Sequence, residues 1–277
     1  RYWFTHGRPP PAPGEGIIDD GTPAGKRSPT TQELIPRPPI EGNPFRGLQP
    51  FDTRSSHAFY GRSRLIASLV NLLNSVLNRE RFIALVGPSG VGKSSLLMAG
   101  LLPALQHGAI PGSRDWVYLS PIKPGQNPME NLTTQLIKDR VASTRMTTEN
   151  VARPIFTEFR ELLNDPDATG LTKIARQISR SDERRVVLVV DQFEELFSMT
   201  NQNENSADRD PFINLLTTAA QDPDGSVIVL ISLRADYYNR PMELPFSDIG
   251  RLIDANSVTV MPMNNSELRE TVVSSLS

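Results

Sequence analysis

The chain has 277 residues, of which 38% are hydrophobic and 22% are charged, a composition typical of globular proteins. A net charge of −2 and a pI near 6.0 give no overall attraction to nucleic acid or to an anionic membrane, and we expect neither as a partner. The absence of cysteine excludes disulfides, thiolate metal sites and cysteine nucleophiles, and it agrees with an expected cytoplasmic location.

The first 50 residues contain eleven of the 24 prolines and seven of the 18 glycines. Proline cannot donate a backbone hydrogen bond, so such a segment does not sustain a helix or a central strand. We therefore predict that residues 1–42 are an extended linker or the tail of an upstream domain, although packing onto the globular part remains an alternative. Because the chain begins with Arg1 and ends inside an apparently helical segment, we expect it to be a piece of a longer protein.

From residue 43 onward the sequence predicts one domain with alternating helices and strands. Apolar residues at helical spacing predict a first helix over about 62–78. A helix after the first strand is expected to stop near Pro103, and the region 128–180 is expected to be mostly helical with breaks around Pro154 and Pro166. Apolar runs predict strands at 81–86, 116–120, 186–190, 226–233 and 257–260.

Continuous apolar strands that alternate with helices indicate a parallel sheet that is covered on both faces. The fold class that we predict is therefore α/β, with three layers and a central, mostly parallel five-stranded sheet.

A glycine-rich turn joins the first predicted strand to the next helix, and it reads Gly87-Pro-Ser-Gly-Val-Gly-Lys-Ser94. Its glycines let the backbone approach a phosphate, and its amides and the start of the following helix favour an anion. This pattern is a P-loop, in which Lys93 would neutralise the β- and γ-phosphates and the hydroxyl of Ser94 would coordinate Mg²⁺. Ser95 would contact the α-phosphate. The predicted ligands are ATP or ADP with Mg²⁺, and the predicted nucleotide-binding residues are Gly87, Pro88, Ser89, Gly90, Val91, Gly92, Lys93, Ser94 and Ser95.

Acidic residues follow the third predicted strand, in the sequence Val190-Asp-Gln-Phe-Glu-Glu195. Asp191 stands at the carboxyl end of a parallel strand, where it would hold Mg²⁺ through water. Glu194 or Glu195 would orient or deprotonate the attacking water, and Glu195 is our first choice. The alternative is that the two glutamates only favour the first turn of a helix. Because the residue beside Asp191 is Gln192 and not a second acid, we expect slow turnover.

The fourth predicted strand ends in Ser232-Leu-Arg-Ala-Asp236. Arg234 would reach the γ-phosphate there and sense or stabilise its charge. The alternative is an ordinary surface ion pair, for instance with Asp236. One predicted strand separates the P-loop strand from the Asp191 strand along the chain, which favours the additional-strand class of P-loop NTPases.

An ordered set of motifs in residues 43–275 resembles the STAND-type ATPases, the signal-transduction ATPases with numerous domains, and their novel STAND subgroup in particular. Besides the P-loop, Val190–Glu195 and Leu233–Asp236, the motifs are Asn43-Pro-Phe-Arg-Gly-Leu48, Phe59-Tyr-Gly-Arg-Ser-Arg-Leu65 and Gly100-Leu-Leu-Pro-Ala-Leu105.

The resemblance implies a molecular switch that rests with ADP, exchanges it for ATP on a trigger, and then self-associates to activate an effector. It also implies that Gly61 and Arg62 bind the nucleotide, although the family usually has glutamate where this chain has Ser63. The alternative is a glycine turn that opens the first helix. Within this family resemblance, residues 43–277 are the NTPase domain, and the winged-helix, sensor and effector regions would lie outside the chain.

These expectations favour a regulatory ATPase module of a larger signalling or defence protein. A nucleotide-binding scaffold that does not hydrolyse ATP is the first alternative. A metabolic or transport ATPase is the second.

Overall fold

A computed structural model describes residues 51–144, 148–180, 184–197 and 206–275. The predicted linker 1–42 and the motif Asn43–Leu48 lie outside the described residues.

Helices and strands alternate along the described chain. A 3₁₀ turn, Thr53–Ala58, comes first, and short 3₁₀ turns also follow β3 and β4, at Phe193–Phe197 and Ala235–Tyr237. The strands are β1 (Phe82–Gly87), β2 (Val117–Tyr118), β3 (Val186–Val190), β4 (Val227–Arg234) and β5 (Ser257–Thr259). The helices are α1 (Ser63–Val76), α2 (93–106), α3 (Pro128–Thr144), α4 (Thr148–Leu163), α5 (Gly170–Ser179), α6 (Ser206–Gln221), α7 (Asn239–Met242), α8 (Ile249–Ala255) and α9 (Asn265–Ser275).

The five strands form one sheet in the order β2-β3-β4-β1-β5, and every pair in it is parallel. This confirms the predicted α/β fold. In the sheet, β4 lies between the P-loop strand β1 and the strand β3 that precedes Asp191, whereas β2 lies at the edge. The strand that separates the two motifs is therefore β4, which follows both of them in sequence, and not the predicted strand at 116–120.

The sheet separates two hydrophobic cores, because successive side chains of each strand point to opposite faces. On one face, Ile83 and Leu85 of β1 pack with α1 and α2. On the other face, Phe82, Ala84 and Val86 of the same strand pack with α3, α4, α5, α6 and α8. Helices on both faces of a buried parallel sheet give the three layers that the sequence predicts.

Two prolines do not end helices where the sequence predicts that they should. In α2, α-helical Lys93–Ser95 is followed by π-helical Leu96–Leu101 and α-helical Leu102–Gln106, so the helix continues past Pro103. Proline is tolerated in the first turn of an α-helical segment, and the wider π turn places Pro103 in that position. Pro154 lies inside α4, which continues through it despite the lost backbone hydrogen bond and the clash of the proline ring with the preceding turn. The break predicted at Pro166 is present, between α4 and α5.

Candidate nucleotide-binding site

The candidate site lies at the carboxyl ends of β1, β3 and β4, which are neighbours in the sheet. The register aligns Gly87, where the glycine-rich turn begins, with Arg234 at the end of β4. It also pairs Val190 with Ile231, so that Asp191 and Ser232 follow side by side. Ligands of open α/β sheets bind at this edge, and the sheet brings the three predicted motifs together there.

The glycine-rich turn has a backbone that only glycine adopts easily at two positions. Gly90 and Gly92 have φ angles of +74° and +94°. A Cβ atom at either position would meet no atom within 4 Å, so both face open space. Gly87 differs, because a Cβ there would lie 2.3 Å from the carbonyl oxygen of Val260. An open loop with its glycines facing outward fits a phosphate chain that lies against the backbone.

Lys93 lies buried beneath this loop. Its ammonium group donates hydrogen bonds of 2.9 Å to the carbonyl oxygens of Gly87 and Pro88. Burial lowers the pKa of Lys93, while the carboxylates of Glu194 and Asp191 act in the opposite direction. The lysine therefore places a cation, flanked by two carboxylates, directly under the turn.

Ser94 and Asp191 are in direct contact. The Ser94 hydroxyl donates a 2.7 Å hydrogen bond to Oδ1 of Asp191. The Ser232 hydroxyl donates a second one, of 2.5 Å, to the same oxygen. Asp191 is buried, so these hydroxyls stabilise its carboxylate. A hydroxyl and a carboxylate at this distance suit one Mg²⁺ ion, which takes one or two protein oxygens and completes its shell with phosphate and water.

Gln192 turns the chain so that the two glutamates diverge. It has a φ angle of +57°, and its backbone N–H donates to the Ser232 hydroxyl at 2.9 Å. After this turn, Oε2 of Glu194 accepts a 3.2 Å hydrogen bond from the backbone N–H of Arg234. Oε2 of Glu195 instead accepts a 2.9 Å hydrogen bond from the backbone N–H of Gly125, in the loop between β2 and α3. The carboxylate of Glu194 therefore contacts the end of β4, whereas the carboxylate of Glu195 contacts the loop between β2 and α3.

Glu194 is a half-buried carboxylate with two cations nearby. Burial raises its pKa, and Lys93 and Arg234 partly offset that effect. Buried carboxyl groups with raised pKa values and nearby cations are frequent among general bases. These surroundings distinguish Glu194 from Glu195, which the sequence placed first, and the choice of the catalytic carboxylate stays a prediction.

The side chain of Arg234 forms the ion pair that was the alternative prediction. Its guanidinium donates to both carboxylate oxygens of Asp236, at 2.7 and 3.1 Å, and lies 5.3 Å from the ring centre of Tyr237. The guanidinium is also close enough to Lys93 to lower that residue's pKa. Arg234 therefore borders the phosphate loop while its Nε and Nη2 donors bind Asp236.

Gly61 and Arg62 lie at the opposite side of the loop, against the last helix. The buried guanidinium of Arg62 donates to the carbonyl oxygens of Met261 at 2.8 Å and of Val91 at 3.4 Å. It also pairs with Glu267 of α9 at 3.5 Å. These contacts join the P-loop backbone to α9, so Arg62 has a structural role, and its contact with the nucleotide stays a prediction.

The structure adds two features that the sequence did not indicate. Ser232 holds both Asp191 and Gln192, and only the register of β3 on β4 shows that it is their neighbour. Ser95, predicted to contact a phosphate, is buried, and its hydroxyl accepts a 3.1 Å hydrogen bond from the backbone N–H of Phe51.

A parallel sheet with β4 between β1 and β3, and a glycine-rich turn with Lys93 beneath it, defines a P-loop NTPase of the additional-strand class. Residues 44–277 match the family of Novel STAND NTPase 1. The match covers most of the chain, and the chain belongs to this family. No curated protein matches it.

Neither a membrane-spanning helix nor a cluster of metal-binding side chains occurs among the described residues. None of the helices within this part of the chain is long and apolar enough to cross a membrane. No group of three or more His, Asp or Glu side chains among the described residues could hold a metal ion. A metal bound beside the P-loop would therefore need phosphate oxygens and water besides Ser94 and Asp191.

Proposed function

We propose that this domain is an ATP/ADP-binding regulatory switch of a larger signalling or defence protein, working in the cytoplasm, with slow Mg²⁺-dependent ATP hydrolysis. One observation carries the proposal: the ends of three adjacent strands bring Lys93, Asp191, Glu194 and Arg234 around a single open, glycine-rich loop.

Binding is assigned to the loop and its lysine. The backbone of 87–94 would surround the phosphates, and Lys93 would donate to the β- and γ-phosphates in place of the carbonyl oxygens of Gly87 and Pro88. Ser94 would hold Mg²⁺ directly, and Asp191 would hold it through water. The ion, when bound, would neutralise charge on the phosphate oxygens.

Hydrolysis is assigned to Glu194, which would accept a proton from the attacking water. Its raised pKa makes it a better base than an ordinary glutamate. Turnover is expected to be slow, because Gln192 stands where fast P-loop ATPases have a second acid. Gln192 is also the specific feature that favours the second candidate function, a scaffold that binds nucleotide without cleaving it.

Switching is assigned to Arg234 and to self-association. Arg234 would leave Asp236 and bind the γ-phosphate, so that its position reports which nucleotide is bound. Self-association in the ATP form, and an ADP-bound resting form, rest on the family resemblance alone.

The test combines three measurements on the 277-residue chain. The nucleotide that copurifies is identified after denaturation, phosphate release is measured with ATP and Mg²⁺, and molecular mass in solution is compared with ADP and with ATP. We expect bound ADP, slow release above background, and a larger particle with ATP. Lys93→Ala is expected to weaken binding by about 10- to 100-fold, since it removes charge-assisted hydrogen bonds.

Each result has a defined meaning. Phosphate release that is equal in the parent and in Lys93→Ala would reject hydrolysis by this site and favour the scaffold. Equal nucleotide affinity of the two proteins would reject the whole assignment. A molecular mass that is the same with both nucleotides would reject nucleotide-controlled self-association.

A further inference from the structure

Arg234 is held by a carboxylate of its own loop, although it borders the phosphate site. Both oxygens of Asp236 accept hydrogen bonds from the guanidinium, at 2.7 and 3.1 Å. These bonds use the Nε and Nη2 donors of the guanidinium and do not involve Nη1. A γ-phosphate would therefore compete with Asp236 for the charge of the guanidinium and for these two donors.

The pair belongs to the same edge of the sheet as the P-loop. The register places Arg234 beside Gly87, the first residue of the loop. The guanidinium that Asp236 holds therefore starts from a strand end that borders the phosphate loop.

The pair is able to open at low cost. The side chains of Arg234 and Asp236 are 39% and 56% exposed, so water replaces their contacts when they separate. Exposed ion pairs of this kind change the equilibrium constant between the paired and the separated state by only a few-fold. Tyr237, whose ring centre lies 5.3 Å from the guanidinium, helps to keep it on the side of Asp236.

We propose that Asp236 is a positioning residue that sets the nucleotide preference of the site: it holds Arg234 when no γ-phosphate is present and so favours ADP over ATP. This inference rests on the proposed function. ADP binding leaves the ion pair intact, whereas ATP brings a γ-phosphate that competes with Asp236 for Arg234. The difference between the two affinities therefore includes the stability of the pair.

The alternative is that Asp236 only supports the local fold. It stands in the first turn of the short 3₁₀ helix Ala235–Tyr237, where an acid is stabilising. A structural role of that kind would change thermal stability, and it would affect ADP and ATP binding equally. The ratio of the two dissociation constants separates these roles.

The experiment measures the Kd of ADP and of ATP by calorimetry at low salt with Mg²⁺. Asp236→Asn removes the charge and is expected to raise the ratio Kd(ADP)/Kd(ATP) by about two- to fivefold. Asp236→Ser is a second variant without the charge, and Asp236→Glu keeps the charge and should give a ratio close to the parent's. Asp224→Asn is the matched control, because Asp224 is an exposed acid in the turn before β4, at the opposite edge of the sheet.

A double variant tests whether the effect passes through Arg234. Asp236→Asn in an Arg234→Gln background should leave the ratio unchanged. An equal increase in both backgrounds would show direct repulsion between Asp236 and the nucleotide, and it would overturn the proposal. An unchanged ratio in folded Asp236→Asn would overturn it as well. The proposed function itself is tested by the parent protein. It is rejected if the parent binds neither nucleotide or binds them no better than Lys93→Ala does, whereas the role of Asp236 is tested by the Asp236 variants.

Discussion

The Ser94 hydroxyl donates a 2.7 Å hydrogen bond to Oδ1 of Asp191, although the two residues are 97 positions apart in the chain. Ser94 belongs to the first turn of α2, and Asp191 directly follows β3. Because β4 separates β1 from β3, this contact crosses a strand, and Ser232 of that strand binds the same oxygen at 2.5 Å. The two groups that we assign to Mg²⁺ are therefore held in place by the register of three strands.

The first prediction concerns the metal. Asp191→Asn keeps an oxygen that can accept from Ser94 but loses the negative charge that attracts the ion. We expect the factor by which Mg²⁺ strengthens nucleotide binding to fall by about 10- to 100-fold. This is the usual loss of metal affinity when a group that contacts the metal indirectly, here through water, is removed. The measurement is the Kd of ADP with Mg²⁺ and with a chelator.

Ser232→Ala is the control for this prediction. It removes one hydrogen bond to Asp191 and leaves the carboxylate charged. The Mg²⁺ effect should therefore remain within a few-fold of the parent's. A full Mg²⁺ effect in Asp191→Asn would show that another group holds the ion.

The second prediction compares the two glutamates. Glu194→Gln is expected to reduce phosphate release by about 10²- to 10⁴-fold, the contribution of a general base, and to keep nucleotide affinity. Glu195→Gln should have a smaller effect, because its carboxylate is tied to the backbone of Gly125. The two variants differ by one residue in position and remove the same charge, so each is a control for the other. A larger loss in Glu195→Gln would return the catalytic role to Glu195.

The third prediction concerns the pH dependence of hydrolysis. Burial raises the pKa of Glu194 above the ordinary value for glutamate. Below its pKa the carboxyl group carries a proton and cannot accept another, so phosphate release should fall as the pH is lowered through that raised value. An ordinary glutamate would remain ionised to a more acidic pH. The measurement is the single-turnover rate against pH.

Glu195→Gln should keep this decrease of the rate at low pH, since Glu194 is intact. In Glu194→Gln the residual rate should not decrease over the same pH range. A decrease that persists in Glu194→Gln would assign the titration to another group.

Much of the site could be predicted from sequence because it consists of local patterns. Five apolar runs predict the five strands, and the end of each parallel strand lies at one edge. Asp191 and Arg234 are found in that way.

The relation between Glu194 and Glu195 could not be predicted, because it depends on one backbone angle. The positive φ of Gln192 sends Glu194 toward Arg234 and Glu195 toward Gly125. Ser232 was also missed as a partner of Asp191, since the register between β3 and β4 has no local signal in the sequence. The order of the strands in the sheet could not be predicted either, because β4 follows β1 and β3 in sequence and lies between them only in the folded sheet.

The last prediction tests the contact between Gly61 and α9. Gly61 has a φ of +81°, and a Cβ there would lie 2.3 Å from Oγ1 of Thr271 and 2.6 Å from the backbone oxygen of Glu267. Gly61→Ala should therefore lose stability through both backbone strain and overpacking. Strain in this region costs about 1–2 kcal/mol, and overpacking about 1–3 kcal/mol more.

Gly112→Ala is the matched control. Gly112 has a φ of +80°, and a Cβ there would meet nothing within 4 Å, so only the strain remains. The free energy of unfolding, measured with denaturant, should fall more in Gly61→Ala by about 1 kcal/mol or more. If α9 moves away to relieve the overlap, Arg269 of α9 should instead be cleaved faster by trypsin in Gly61→Ala than in Gly112→Ala. Equal stability together with equal cleavage would contradict the close packing of Gly61 on α9, and with it the link that Arg62 makes between this helix and the P-loop.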